Sequence, residues 1–84
     1  MKRIAIIAAV LEDPQATQQS FNELVAEYKD IIRGRMGIPF EKEKVSVVSL
    51  VVVGTNDEIN ALTGKLGKLN DVYVKTAFSK KDYD

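Results

Sequence analysis

The sequence predicts a single α+β domain whose elements follow the order β-α-β-β-α-β, and three observations lead to it. Two segments, Lys2 to Leu11 and Val45 to Gly54, are apolar at odd and even positions alike, the pattern of strands covered on both faces. Two others carry apolar residues at helical spacing behind a recognisable cap. Two further β-prone stretches mix charges with apolar residues, as sheet edges do.

The first strand alternates Ile4, Ile6, Ala8 and Val10 with Ala5, Ile7, Ala9 and Leu11. Asp13 is then read as the cap of a helix that begins at Pro14, where the missing N–H is harmless. Phe21, Leu24, Val25 and Tyr28 form its apolar stripe. Ile31 to Gly37 is interrupted by Gly34 and Gly37, and Arg33 and Arg35 alternate with Ile32 and Met36, which predicts an edge strand with a bulge. Ile38 to Lys44 holds Pro39 and four charges and is read as a loop or wide hairpin.

In the third strand Val45, Val47, Ser49, Val51 and Val53 oppose Ser46, Val48, Leu50 and Val52. Thr55 and Glu58 have capping-box spacing ahead of Ile59. The second helix is expected to run to about Leu69 on the stripe Ile59, Leu62, Leu66 and Leu69, with Asn70 in the left-handed position after it. Val72 to Phe78 is a last edge strand, and residues 79–84 are expected to be a frayed tail.

Two interleaved βαβ units with right-handed crossovers give the ferredoxin-like sheet order 4-1-3-2, antiparallel, with both helices on one face. That order puts the two doubly apolar strands in the middle and the charged ones outside, so pattern and topology agree. Residues 1–84 are therefore read as one domain, and a chain of this length removes only about 60–65% of its unfolded surface from water. Disulfides, a metal or association with other chains are the usual supplements. Cys and His are both absent, which leaves no disulfide, no Cys/His zinc site and no imidazole base. Self-association through the helix-free sheet face is the expected supplement.

Lys+Arg and Asp+Glu are each 12, giving a net charge of +0 without the basic surplus that unassisted nucleic-acid binding requires. The apolar run Ile4 to Leu11 meets Glu12-Asp13-Pro14 far short of the roughly 20 residues of a membrane span. The chain is read as cytoplasmic, with no cofactor and no metal. Asp30, Glu41 and Glu43 match no calcium-loop spacing.

Two surface patches stand out. Gly64 and Gly67 lie inside the second helix, off its apolar stripe and beside Asn60 and Thr63. Each costs about 1 kcal/mol relative to Ala; either a ligand or another subunit approaches closely there, or the glycines are simply tolerated and Gly67 belongs to an early helix end. Lys65 and Lys68 flank them as candidate anion holders. Arg33 and Arg35 form either a second candidate surface for an anion or a partner, or a solvated edge that discourages unwanted strand pairing. No pairing of carboxylates or lysines suggests catalysis.

Three blocks, Arg33-Gly34-Arg35-Met36-Gly37-Ile38-Pro39, Leu62-Thr63-Gly64-Lys65-Leu66-Gly67 and Val72-Tyr73-Val74-Lys75-Thr76, resemble the proposed regulators of the iron-only hydrogenase system, in order and over about Arg3 to Phe78. The resemblance implies an ACT-like fold, similar to the C-terminal domain of nickel-responsive regulators. It also implies a homo-oligomer and a regulatory role, with transcription as one target. The nickel regulators hold metal through His and Cys, which this chain lacks, and carry a separate DNA-binding arm for which no residues remain. No direct DNA binding is expected. Asp13-Pro14-Gln15 lacks the glycine usual in the first turn of amino-acid-binding ACT domains. Two functions remain open: a regulatory or ligand-sensing oligomer acting on a protein partner or small effector, or a structural interaction module with no small-molecule ligand.

Overall fold

The computed structural model describes residues 1–83, in the order β1 (Arg3–Leu11), α1 (Pro14–Glu27), a 3-10 turn (Lys29–Ile31), β2 (Ile32–Phe40), β3 (Val45–Gly54), α2 (Asn56–Gly67) and β4 (Val72–Phe78). The sheet order is β2-β3-β1-β4, which is the expected 4-1-3-2 read from the other side, and every neighbouring pair is antiparallel. Both helices lie on one face. The core between the layers is Ala5, Ile7, Ala9 and Leu11 of β1, Val48, Leu50 and Val52 of β3, Phe21 and Val25 of α1, Ile59, Leu62 and Leu66 of α2, and Ile31 and Val72. Period two on the strands and period 3.6 on the helices thus converge on one side of the sheet.

Several local readings are corrected. Asp13 precedes α1, yet its side chain makes no capping hydrogen bond. The N–H groups of Ala16 and Thr17 donate to its carbonyl instead, and the Thr17 hydroxyl donates there too, at 3.0 Å. β2 continues through Pro39 to Phe40, where a loop was expected. Proline is tolerated because β2 is an edge, and residue 39 turns its backbone away from β3. The predicted bulge is present as a register shift between Ile32 and Gly34. α2 ends at Gly67, and the left-handed residue beyond it is Asp71, with φ 57°, not Asn70. Residues 79–83, expected to fray, continue along β1: the Ser79 N–H donates to the Ile4 carbonyl, and Lys2 and Tyr83 exchange backbone bonds. Asp84 lies outside the described residues.

α2 begins with the predicted capping box. The Glu58 N–H donates to the Thr55 hydroxyl oxygen at 3.1 Å, and the Thr55 N–H donates to the Glu58 carboxylate at 2.8 Å. Those bonds, the backbone one first, hold the Glu58 carboxyl below its ordinary value.

Candidate functional site

Among the described residues, none forms a layer over the other side of the sheet. Ile4, Ile6, Ala8 and Val10 of β1 face out, beside Val47, Ser49, Val51 and Val53 of β3, Met36, Ile38 and Phe40 of β2, and Tyr73, Lys75 and Ala77 of β4, as the strand registers require. Ile6 is 48% exposed, Met36 62%, Ile38 47% and Tyr73 58%. Lys75 is the one charged residue among those just named. Of the two apolar faces offered by β1, the helices therefore take Ala5/Ile7/Ala9/Leu11, and Ile4/Ile6/Ala8/Val10 is left to water or to another molecule.

A groove of about 430 Å³ runs between α2 and β4, lined by Asn60, Thr63, Gly64 and Gly67 on one wall and by Val72, Tyr73, Val74 and Thr76 on the other. Four of the six helix residues singled out in the sequence meet here. A Cβ built on Gly64 or Gly67 would meet nothing within 4 Å, so the glycines relieve no crowding inside the chain. The Thr63 hydroxyl donates to the Asn60 carbonyl at 3.1 Å. No charged side chain lines the groove, and its floor is a strand edge, which suits a polypeptide backbone better than a small anion.

Lys65 is not at this groove. It leans the other way, to α1, with its Nζ 3.7 Å from the Glu27 carboxylate and 5.1 Å from the centre of the Tyr28 ring. The Tyr28 side chain, with Glu27 behind it, holds the ammonium above the ordinary lysine value. Lys68 closes α2, its N–H donating to the Lys65 carbonyl at 3.3 Å, and does not line the groove. The expected anion site beside the glycines is therefore not assembled.

Arg33 and Arg35 do not act as a pair either. The bulge lies between Ile32 and Gly34, and beyond it the two side chains find separate partners. The Arg33 guanidinium donates to the Asp30 carbonyl at 3.3 Å. Arg35 donates to the Asn22 side-chain oxygen at 2.7 Å and lies 5.8 Å from the Phe21 ring centre. It fastens the β2 edge to α1.

Sequence reasoning missed a third site. A cavity of about 590 Å³ opens between the start of α1 and the β2–β3 turn, lined by Glu12, Asp13, Gln15, Gln18, Phe40 and Lys44 among others. It shares Gln18, Pro39 and Ser46 with a smaller pocket of about 160 Å³ that reaches Arg35 and Phe21. Its walls come from segments far apart in the chain, and no motif marks them. Among the described residues, no three His, Cys, Asp or Glu side chains converge as metal ligands, and no helix is long and apolar enough to cross a membrane.

Comparison with known proteins agrees with this architecture. Residues 3–76 match the TM1266-like family model, described provisionally as the iron-only hydrogenase system regulator. The chain is similar to the uncharacterized protein TM1266 from Thermotoga maritima, with 38% identity, a TM-score of 0.91, and coverage of 95% of this chain and 100% of that one. It is similar in fold to the ACT domain of the GTP pyrophosphokinase of Chlorobium tepidum, at 22% identity and a TM-score of 0.75 over 92% of this chain and 100% of that one. The C-terminal domain of the MgtC protein of Mycobacterium tuberculosis shares the fold at 12% identity and a TM-score of 0.70, over 96% and 92% of the two chains. No curated protein sequence matches the chain.

Proposed function

Since the chain belongs to the TM1266-like family, the provisional iron-only hydrogenase system regulators, we propose that it is a non-catalytic regulatory domain that works as an assembly of identical chains. The observation that carries this reading is the helix-free sheet face. Ile4, Ile6, Met36, Ile38, Phe40, Val51 and Tyr73 are 38% to 62% exposed there, a patch on the order of the ~300–600 Å² of the largest one on a typical monomer. If about 500 Å² from each of two copies leaves water, the gross gain at ~25 cal/mol per Å² is on the order of 25 kcal/mol. Association itself costs roughly 4–15 kcal/mol, so a surplus remains.

Two features support regulation over catalysis. Among the described residues, Glu58 and Lys65 are the groups whose pKa is displaced, and they are engaged in a helix cap and an inter-helix contact. The cavity between α1 and the β2–β3 turn falls within the ~300–1,000 Å³ range of small-molecule sites and offers both signs of charge for a small effector. With a net charge of +0 the domain acts through a partner or effector and not by gripping DNA itself. We place it in the cytoplasm.

The test has two parts. Val51→Lys puts a charge in the middle of the open face and is expected to dissociate the assembly with the fold retained. A thermal-shift screen of metabolites, nucleotides and metals, followed by pull-down, is expected to give a ligand whose stabilisation is lost in Gln18→Trp. An unchanged mass for Val51→Lys would refute the assembly. Pull-down of a partner with no stabilising small molecule would leave a protein-interaction module in place of a sensor.

A further inference from the structure

The two edges of the sheet are built differently. β2 carries Pro39, a register shift after Ile32 and two arginines drawn off it, all devices that discourage pairing. β4 has none of these: Val72 to Phe78 keeps unbroken register with β1 and contains neither Pro nor Gly. The Glu12 N–H donates to the Asp71 carbonyl and the Ser79 N–H to the Ile4 carbonyl, both at 2.8 Å. These bonds set the phase of the ladder. Odd residues of β4 bond β1, and even residues turn their N–H and C=O outward. The Val72 N–H is taken by the Leu69 carbonyl at 3.4 Å; Val74, Thr76 and Phe78 have no outward backbone partner among the described residues. Directly above this edge stands the α2 wall that ends in bare backbone at Gly64 and Gly67.

We propose that the β4 edge pairs with β4 of a second copy, antiparallel about a two-fold axis at Val74, so that the two α2 helices meet through Gly64 and Gly67. This adds a second contact to the assembly proposed above and does not depend on the first. The side chains select the register. An axis at Lys75 would set lysine directly against lysine, which is destabilising. An axis at Thr76 would move away from the groove, whose strand residues run from Val72 to Thr76 and centre on Val74. At Val74, Tyr73 of one copy lies opposite Lys75 of the other, twice, an arrangement that suits ring–ammonium contact. Small residues at the facing helix positions allow the backbones to approach closely, which accounts for Gly64, a glycine inside α2 that the core does not require; Gly67 is the last residue of α2, where glycine also suits the helix end. The edge axis is normal to the sheet and a face-to-face axis lies along it; with the face-to-face axis running across the strands so that the two axes cross, both contacts together close at four copies.

Sedimentation velocity on the whole chain tests this, with Gly64→Leu, Thr76→Pro, Val51→Lys and Gly64→Leu/Val51→Lys beside the wild type. Gly64→Leu adds a side chain where nothing lies within 4 Å, so the single chain folds, while the helix contact is blocked. Thr76→Pro removes only an outward N–H. Four chains are expected for the wild type, two for each single variant and one for the double variant. Wild-type mass in both Gly64→Leu and Thr76→Pro overturns the edge pairing. Halved mass in those two with an unchanged Val51→Lys keeps the edge pairing and removes the face-to-face contact. A single-chain wild type removes both.

Discussion

Ile6 and Ile7 are consecutive on β1, and replacing each by Ala is predicted to break a different thing. Ile7 is 0% exposed within the core, and Ile6 is 48% exposed on the open face. Ile7→Ala removes buried methyl and methylene groups and leaves a cavity that the rigid sheet only partly closes, a loss of about 2–5 kcal/mol. Small domains hold roughly 5–15 kcal/mol in total, and each kcal/mol moves the midpoint of a domain this size by about 4–8 °C. Ile7→Ala should therefore melt at least ~8 °C lower. Ile6→Ala has little to lose inside one chain. Its loss is at the contact between copies, where each isoleucine forfeits roughly 1–2 kcal/mol of burial. A two-fold contact counts that twice, so dissociation should become about 30- to 1,000-fold easier. Urea melts at a concentration where the wild type is dissociated measure the first effect, and sedimentation equilibrium measures the second. The reasoning is refuted if Ile6→Ala lowers single-chain stability as much as Ile7→Ala and leaves dissociation unchanged.

Other substitutions follow from local geometry. Thr55→Ala removes the capping-box acceptor and should cost about 1 kcal/mol, read as a lowered melting temperature. Because the folded Glu58 carboxyl is held below its ordinary 4.5, its contribution is present above that pH and lost as pH falls through the folded value. Glu58→Gln should flatten the acid side of the stability profile, measured by melts from neutral pH down to pH 3 or so. A Cβ on Gly54 would meet Glu58 Oε1 at 3.1 Å and Ile31 Cγ2 at 3.2 Å, and Ile31 is buried. Gly54→Ala should therefore destabilise by about 1–3 kcal/mol in a urea melt, whereas Gly64→Ala, in open space, should raise the stability of the single chain by up to ~1 kcal/mol.

What could be read from the sequence was whatever rests on local periodicity. β3 has the predicted bounds because ten residues alternate between two apolar faces, and the Thr55–Glu58 box was visible as spacing alone. The sheet order followed from interleaving two right-handed βαβ units, and the strands apolar on both sides agreed with it. Readings failed where another element decides the outcome. Pro39 argues for a loop only until β2 is known to be an edge whose outward N–H is not needed. Lys65 sits next to Gly64 in the chain, yet the helix turn carries it to Glu27 and Tyr28, and α1 settles that. Asn60, Thr63, Gly64 and Gly67 are grouped by helical spacing, while their opposite wall, Val72 to Thr76, comes from β4. The cavity beside Gln18 joins α1 to the β2–β3 turn, and no local pattern carries such information.

The most direct measurement of the central claim is the molar mass of the unaltered chain by light scattering across low micromolar concentrations. A chain whose open sheet face is covered by copies of itself gives a whole multiple of 9.3 kDa that persists on dilution. A mass of 9.3 kDa throughout would mean that Ile6, Val51 and their neighbours stand in water, contradicting the account.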